Sequence, residues 1–126
     1  MIRRYETSDD ILIMELIESE GKDWEEYYKG FGKSKYLDSL KNSITYVMIE
    51  SDQIIGYIRA IDDHGFDVYI CDLLVHKNYR NKHYGSKLIS SIKSHFPNRN
   101  IYVMSDVDPY YIKQEFKKVG SIFKIH

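Results

Sequence analysis

Residues 72–89 decide the fold of this chain: Asp72-Leu73-Leu74-Val75-His76-Lys77-Asn78-Tyr79-Arg80-Asn81-Lys82-His83-Tyr84-Gly85-Ser86-Lys87-Leu88-Ile89. The apolar start predicts a buried strand, and a polar, basic loop then leads into a helix with small residues near its first turn. Backbone N–H groups at such a helix start have no intrahelical partner, and the helix dipole adds positive potential. The pattern predicts a phosphate-binding turn, with an ordinary basic loop as the alternative.

The residues before this stretch predict a β-meander. Apolar and β-branched runs cover residues 44–49, 53–61 and 66–75, and Ser51-Asp52 and Asp62-Asp63-His64-Gly65 separate them. Consecutive strands with short turns favour antiparallel pairing. We therefore expect three neighbouring antiparallel strands, of which the last is central.

Helical spacing flanks this meander on both sides. Before it, one helix is expected between Asp9 and Gly21, and a second helical region begins near Trp24 and ends near Asn42. The Gly30-Phe31-Gly32 segment is expected to break that second region.

After the meander, the expected elements are a helix from Tyr84 that ends at Pro97, a strand over 101–104, a helix opened by Asp108-Pro109, and a short strand over 121–125. The fold class is therefore mixed α/β. It has a mostly antiparallel sheet, two N-terminal helices, one helix after the central strand and one C-terminal helix.

Length and composition set further bounds. The 126 residues fit one domain, 1–126, and no apolar run approaches the roughly 20 residues that cross a bilayer. The N-terminus lacks the apolar stretch of a signal peptide. Because Cys71 is the only cysteine, we expect no intrachain disulfide, no cysteine-held metal and a cytoplasmic setting.

Charge is unevenly distributed along the chain. The net charge is -1, with a net negative charge over residues 1–50 and a net positive charge over residues 51–126. Basic residues are not interleaved with aromatic ones in the manner of a nucleic-acid-binding surface, so no nucleic-acid partner is expected. The five histidines are scattered and predict no metal site.

Two segments carry a resemblance to a known family. Residues 79–88 resemble the acetyl-CoA-binding motif of the GNAT acetyltransferase superfamily, in which Arg80 matches the first position and Gly85 the last. Residues 110–120 resemble the Phe-Tyr-Glu-Lys-Leu-Gly-Phe segment of the same family. His83 departs from the family pattern because it stands at the position of the first glycine, and the final pair of strands is reduced to one.

The resemblance implies a set of cofactor contacts. The backbone of the strand end would pair with the pantetheine arm, and the loop and helix start would cradle the pyrophosphate of acetyl-CoA. A bulge in the third meander strand would splay it from the next strand and make room for the thioester. The implied cofactor-binding residues are Leu73, Leu74, Val75, Arg80, Asn81, Lys82, His83, Tyr84, Gly85 and Ser86.

The resemblance also implies catalytic roles. Tyr111 matches the tyrosine that donates a proton to the departing thiolate, with packing as the alternative role. A general base is less defined: Asp72 ranks first, ahead of Asp106 and Asp108, and any of them would act through water. Asp108 also suits a helix cap before Pro109.

The acceptor is expected to bind among the N-terminal helices. Trp24, Tyr27 and Tyr28 are interleaved there with acidic residues, a surface suited to an ammonium group, although an amphipathic helix with a solvated acidic face has the same pattern.

The sequence thus predicts an acetyl-CoA-dependent N-acetyltransferase acting on a small-molecule amine or a peptide N-terminus, as a monomer or homodimer, with no metal and no membrane partner. Two alternatives stay open: an acyl-CoA-binding or regulatory module without catalysis, and an assembly protein that uses an open sheet edge.

Overall fold

One mixed sheet organises the computed structural model, which describes residues 1–126. Its strands are β1 (Ile2–Arg4), β2 (Ile44–Glu50), β3 (Gln53–Asp62), β4 (Asp67–Val75) and β5 (Asn100–Val103). They lie in the order β1-β2-β3-β4-β5, with antiparallel pairing from β1 to β4 and parallel pairing between β4 and β5. The expected meander and the mixed α/β class are confirmed.

Five α-helices surround the sheet, namely α1 (Asp10–Glu18), α2 (Glu25–Tyr28), α3 (Gly30–Lys41), α4 (Tyr84–His95) and α5 (Asp108–Lys113). The break expected at Gly30-Phe31-Gly32 is misplaced, because these residues form the first turn of α3. The interruption falls at Lys29 instead, whose extended backbone separates α2 from α3. None of the helices is long and apolar enough to cross a bilayer.

Each face of the sheet has its own apolar core. On one face, buried residues of α1 and α3 pack on side chains such as Val47, Tyr57 and Leu74. On the other face, α4 contributes Leu88 and Ile92 to a second core. The sheet is therefore covered by α1 and α3 on one side and by α4 on the other, and this arrangement fixes the position of the loop that joins β4 to α4.

A bulge in β4 changes the geometry of the sheet. Arg59 pairs with Asp72 and Ala60 pairs with Ile70, so Cys71 is an extra residue without a partner on β3. The pairing of β4 with β5 covers only Asp67 to Ile70. Beyond this point the two strands separate, which leaves the end of β4 without a neighbour on its β5 side.

The C-terminal segment differs from the expectation. No strand forms over residues 121–125, and residues 114–126 form neither helix nor strand. The physical reason lies at Glu115, where a positive φ of 66° turns the chain, and the Phe116 amide bonds back to the Tyr111 carbonyl at 3.1 Å. The tail and β5 line a groove of about 1080 Å³, and the outer edge of β5 has no strand partner.

Candidate active site

The candidate site is the cleft that opens where β4 separates from β5. Its β4 wall comprises Leu73, Leu74 and Val75, which lie beyond the last residue that pairs with β5. Leu74 packs into the core beneath α1 and α3, whereas Leu73 and Val75 pack on the α4 side. The open backbone edge of this segment can accept an extended ligand as an added strand.

The start of α4 lies beside this cleft. His83 is the residue before the helix and has a left-handed backbone with φ of 62°, and its side chain makes no capping bond. The amide of Lys87 bonds to the His83 carbonyl at 3.2 Å. The amides of Tyr84, Gly85 and Ser86 therefore have no partner within the helix and are available to an anion.

Arg80 is held between two elements. Its Nε atom donates to the Val75 carbonyl at 2.9 Å, and its Nη2 atom donates to Glu20 Oε1 at 2.6 Å. Arg80 thus fixes the loop against the end of β4 and the segment after α1. The carbonyl of Val75, expected to face the pantetheine arm, already accepts this bond.

The other residues of the loop are exposed. Asn81, Lys82 and His83 are all exposed to solvent, and Asn81 shares the left-handed backbone, with φ of 64°. Lys82 lies over the Tyr79 ring and Lys87 over the Tyr84 ring, at 5.5 and 5.4 Å from the ring centres. Both ammonium groups are therefore positioned near the α4 start, where they add positive charge.

Gly85 and Ser86 lie against α5. A Cβ atom at Gly85 would overlap the Tyr110 hydroxyl, so any larger residue would force Tyr110 to move. Ser86 Oγ donates to Gln114 Oε1 at 3.0 Å, and the buried Nε2 atom of Gln114 has no partner. Three features here suit a pyrophosphate: the free amides at the start of α4, the absence of a side chain at Gly85 and the unpaired N–H group of Gln114.

Tyr111 is half-buried and packs on the α4-side core. Burial and, to a smaller extent, the nearby Tyr110 and Asp106 raise the pKa of Tyr111 to about 12. The phenol therefore stays protonated at neutral pH and can act as a proton donor. The expected packing role and the expected donor role are both compatible with this placement.

Asp72 lies inside a polar network on the face covered by α1 and α3. Its Oδ2 atom accepts bonds from Arg59 Nε and from the Tyr36 hydroxyl, each at 2.6 Å, and Tyr36 in turn contacts the Tyr57 hydroxyl at 2.5 Å. Burial works against the charge of Arg59, but the neighbouring Asp72 raises the pKa of this guanidinium overall. Burial and the Asp72 charge raise the pKa of Tyr36.

The three aromatic residues expected at the acceptor site form a half-buried cluster. Trp24 meets Tyr27 edge-on at 5.6 Å, Tyr27 packs on Tyr36 at 4.6 Å, and the Tyr28 hydroxyl donates to the Gly21 carbonyl at 3.1 Å. Burial, followed by the charge of Asp72, raises the pKa of Tyr27. Trp24, directly before α2, and Tyr27 within α2 thus lie towards the Asp72 network, whereas Tyr28 braces the preceding loop.

Several contacts within the site were not expected from the sequence. The expected residues are contacted across sequence separations of 13 to 60 positions by Glu20, Tyr36, Arg59, Tyr110 and Gln114. Only the contact between Arg59 and Asp72 could be anticipated from the sequence, because a hairpin with a short turn brings such positions opposite each other.

Fold and site together define an α/β domain whose splayed central strand leads through a loop to a helix with free amides at its start. The sequence profile of the Acetyltransferase (GNAT) family matches residues 10–113, most of the chain. The chain therefore belongs to the GNAT acetyltransferase family. No curated protein matches it in sequence.

Solved structures of low sequence identity share the fold. A GNAT-family acetyltransferase from Streptococcus pneumoniae TIGR4 superposes with a TM-score of 0.77 at 18% identity, covering 99% of this chain and 97% of its own. An aminoglycoside acetyltransferase from an uncultured soil metagenomic sample gives 0.75 at 20% identity, with 100% and 97% covered. A transcriptional regulator from Bacillus halodurans C-125 gives 0.75 at 16% identity, with 100% and 98% covered.

Proposed function

We propose that this chain transfers an acetyl group from acetyl-CoA to a primary amine of a small molecule. The observation that carries the proposal is the juxtaposition of the open β4 edge with the free amides of Gly85 and Ser86 at the start of α4. This arrangement offers strand-like pairing to an extended arm and hydrogen-bond donors to an anion at its end.

Different residues of the cleft would bind different parts of the cofactor. Leu73 and Val75 would meet the pantetheine arm, and the amides from Arg80 to Ser86 would surround the pyrophosphate. Lys82 and Lys87 add positive charge at the same place. When bound, acetyl-CoA supplies an activated thioester that a neutral amine can attack directly.

Catalysis then needs few groups from the protein. The amine forms a C–N bond as the thioester C–S bond breaks, and the departing thiolate takes a proton that the Tyr111 phenol can donate. The surplus proton on the amine nitrogen passes to water, and a proton from water restores the Tyr111 phenol. Positioning of the two reactants in the cleft contributes to the rate increase.

Asp72 receives a different role from the one its position in the sequence suggested. Because Arg59 and Tyr36 already bond its carboxylate, we assign Asp72 to holding the bulged part of β4 in place. No single general base is then needed, since solvent in the open cleft can accept the proton.

The acceptor would enter from the side of α2. Trp24 and Tyr27 offer aromatic faces, and the charges of Asp72, Glu26 and Asp106 act on the Tyr27 hydroxyl. Aromatic and acidic groups together favour a cationic amine. The aminoglycoside acetyltransferase among the similar structures is in keeping with such an acceptor, although at 20% identity it shares only the fold.

A second candidate is an acyl-CoA-binding module without catalysis. The pairing of Asp72 with Arg59 favours it, since it removes the carboxylate that is best placed to serve as a base. The transcriptional regulator from Bacillus halodurans, which has a similar fold, is compatible with this second candidate function as well.

The experiment that separates the two candidates is thiol release from acetyl-CoA over a panel of amines. The panel includes polyamines, aminoglycosides, amino acids and peptides with a free N-terminus. Amine-dependent release of free CoA supports the transferase, whereas CoA binding without release across the panel supports the module.

A further inference from the structure

The first turn of α5 places a tyrosine at the α4 end of the cleft. The Cβ position of Gly85 lies 3.3 Å from the Cζ atom of Tyr110 and 3.8 Å from the Cδ2 atom of Leu73, and the Tyr110 hydroxyl lies nearer still. Tyr110 thus reaches to the helix start where it faces β4. It comes from a separate element, α5, and is 40% exposed, so its ring has room to rotate outward.

A second contact joins the same two helices. Ser86 Oγ donates to Gln114 Oε1, which directs this hydroxyl towards the C-terminal end of α5. The Nε2 atom of Gln114 is buried without an acceptor. A buried donor without a partner costs free energy, so the contact between α5 and α4 is incompletely satisfied.

These two contacts place protein atoms where the proposed function requires a ligand. We propose that Tyr110 gates the cofactor cleft: its ring occupies the space beside Gly85 and Leu73 and leaves when an acyl-CoA binds. The inference rests on the proposed function.

The gate has a measurable consequence for affinity. A ligand that binds only the open form has an apparent affinity reduced by the fraction of molecules that are open. Removal of the Tyr110 ring should therefore strengthen CoA binding. A residue that only lined the bound cofactor would show the opposite effect, because its removal would weaken binding.

The test is calorimetric titration of CoA into the wild-type chain and into Tyr110→Ala. We expect the dissociation constant to fall about fivefold or more in Tyr110→Ala, which corresponds to an open fraction of about one fifth or less in the wild type. Tyr102→Ala is the matched control. Tyr102 lies on β5 at 36% exposure and stacks on Tyr69, outside the cleft, so the constant should stay within about twofold.

A second variant and a second readout keep the test decisive if Tyr110→Ala does not fold. Tyr110→Phe keeps the ring and removes only the hydroxyl that lies nearest Gly85, so its affinity should fall between the other two. In protein labelled with 3-fluorotyrosine, the Tyr110 line, assigned by its loss in Tyr110→Phe, should shift towards the solvent-exposed position when CoA is added.

The outcomes separate this inference from the proposed function. If wild type binds CoA and folded Tyr110→Ala binds it equally or more weakly, the gate is refuted and the proposed cofactor is retained. If neither chain binds CoA at millimolar concentration, the proposed function fails and the gate fails with it. Tighter binding by Tyr110→Ala, with a shifted fluorine line in the wild type, supports the gate.

Discussion

The guanidinium of Arg59 lies 2.6 Å from the carboxylate of Asp72, directly across the β3–β4 ladder at the bulge. Both side chains are largely buried, with 14% and 9% of their surface exposed. Cys71, the extra residue of the bulge, lies next to this pair. The pair therefore sits at the residue where β4 begins to separate from β5, and it connects the opening of the cleft to the core beneath α3.

Asp72→Asn should destabilise the fold by about 3 kcal/mol, because it leaves the Arg59 charge buried without a counter-ion. Urea unfolding measures the loss. Asp106→Asn is the matched control, since Asp106 is exposed, and its effect should stay within about 0.5 kcal/mol. An Asp72→Asn chain that is as stable as wild type yet inactive would restore Asp72 to the role of general base.

His83→Gly should stabilise the chain by about 0.5 kcal/mol, because residue 83 has the left-handed backbone that glycine adopts without a steric cost. Ser90→Gly, on the exposed side of α4, is the comparison and should lose about 0.5 kcal/mol. Thermal unfolding of both variants checks the prediction. A destabilised His83→Gly chain would mean that the imidazole makes a contact that outweighs the backbone strain.

Tyr111→Phe should lower kcat about tenfold to a hundredfold while the dissociation constant of CoA stays within about twofold, because only the proton donor is removed. Tyr102→Phe, on β5, should leave kcat unchanged. Steady-state kinetics measure kcat, and CoA titration measures the dissociation constant. Wild-type turnover by Tyr111→Phe would restrict Tyr111 to packing.

The pH dependence of turnover follows from the raised pKa of Tyr111. Its ordinary pKa is about 10, and burial raises it to about 12. The protonated form is the donor, so donation is complete below pH 10 and is lost only as the pH rises through 12. We therefore expect kcat to rise as the amine loses its proton, with no fall below pH 10 that depends on Tyr111. A fall centred between pH 9 and 10 that is absent from Tyr111→Phe would contradict this expectation.

Much of the fold was predictable because local patterns agreed with the tertiary structure. The meander followed from alternating apolar runs and short turns, and α4 followed from its spacing and from Pro97. The expected strand over 121–125 was wrong, because its apolar residues satisfy the strand pattern locally while the turn at Glu115 directs the tail away from β5.

The site was predictable only in part. The cleft and the start of α4 are local features, and residues 72–86 carried them in one continuous stretch. The partners of those residues come from distant elements: Glu20 contacts Arg80, Tyr36 contacts Asp72, and Tyr110 lies against Gly85. No local periodicity encodes such contacts, since they depend on how the helices pack on the sheet.

The most direct test of acetyl-CoA binding is thermal unfolding with and without acetyl-CoA, with ATP and NAD as controls. A ligand that binds only the folded chain raises its stability by about 2.7 kcal/mol at a hundredfold excess over the dissociation constant. We predict a shift with acetyl-CoA alone, and its loss in Gly85→Trp, whose side chain would fill the start of α4. No shift at millimolar acetyl-CoA, or an equal shift with ATP or NAD, would contradict the assignment of this cleft to acetyl-CoA.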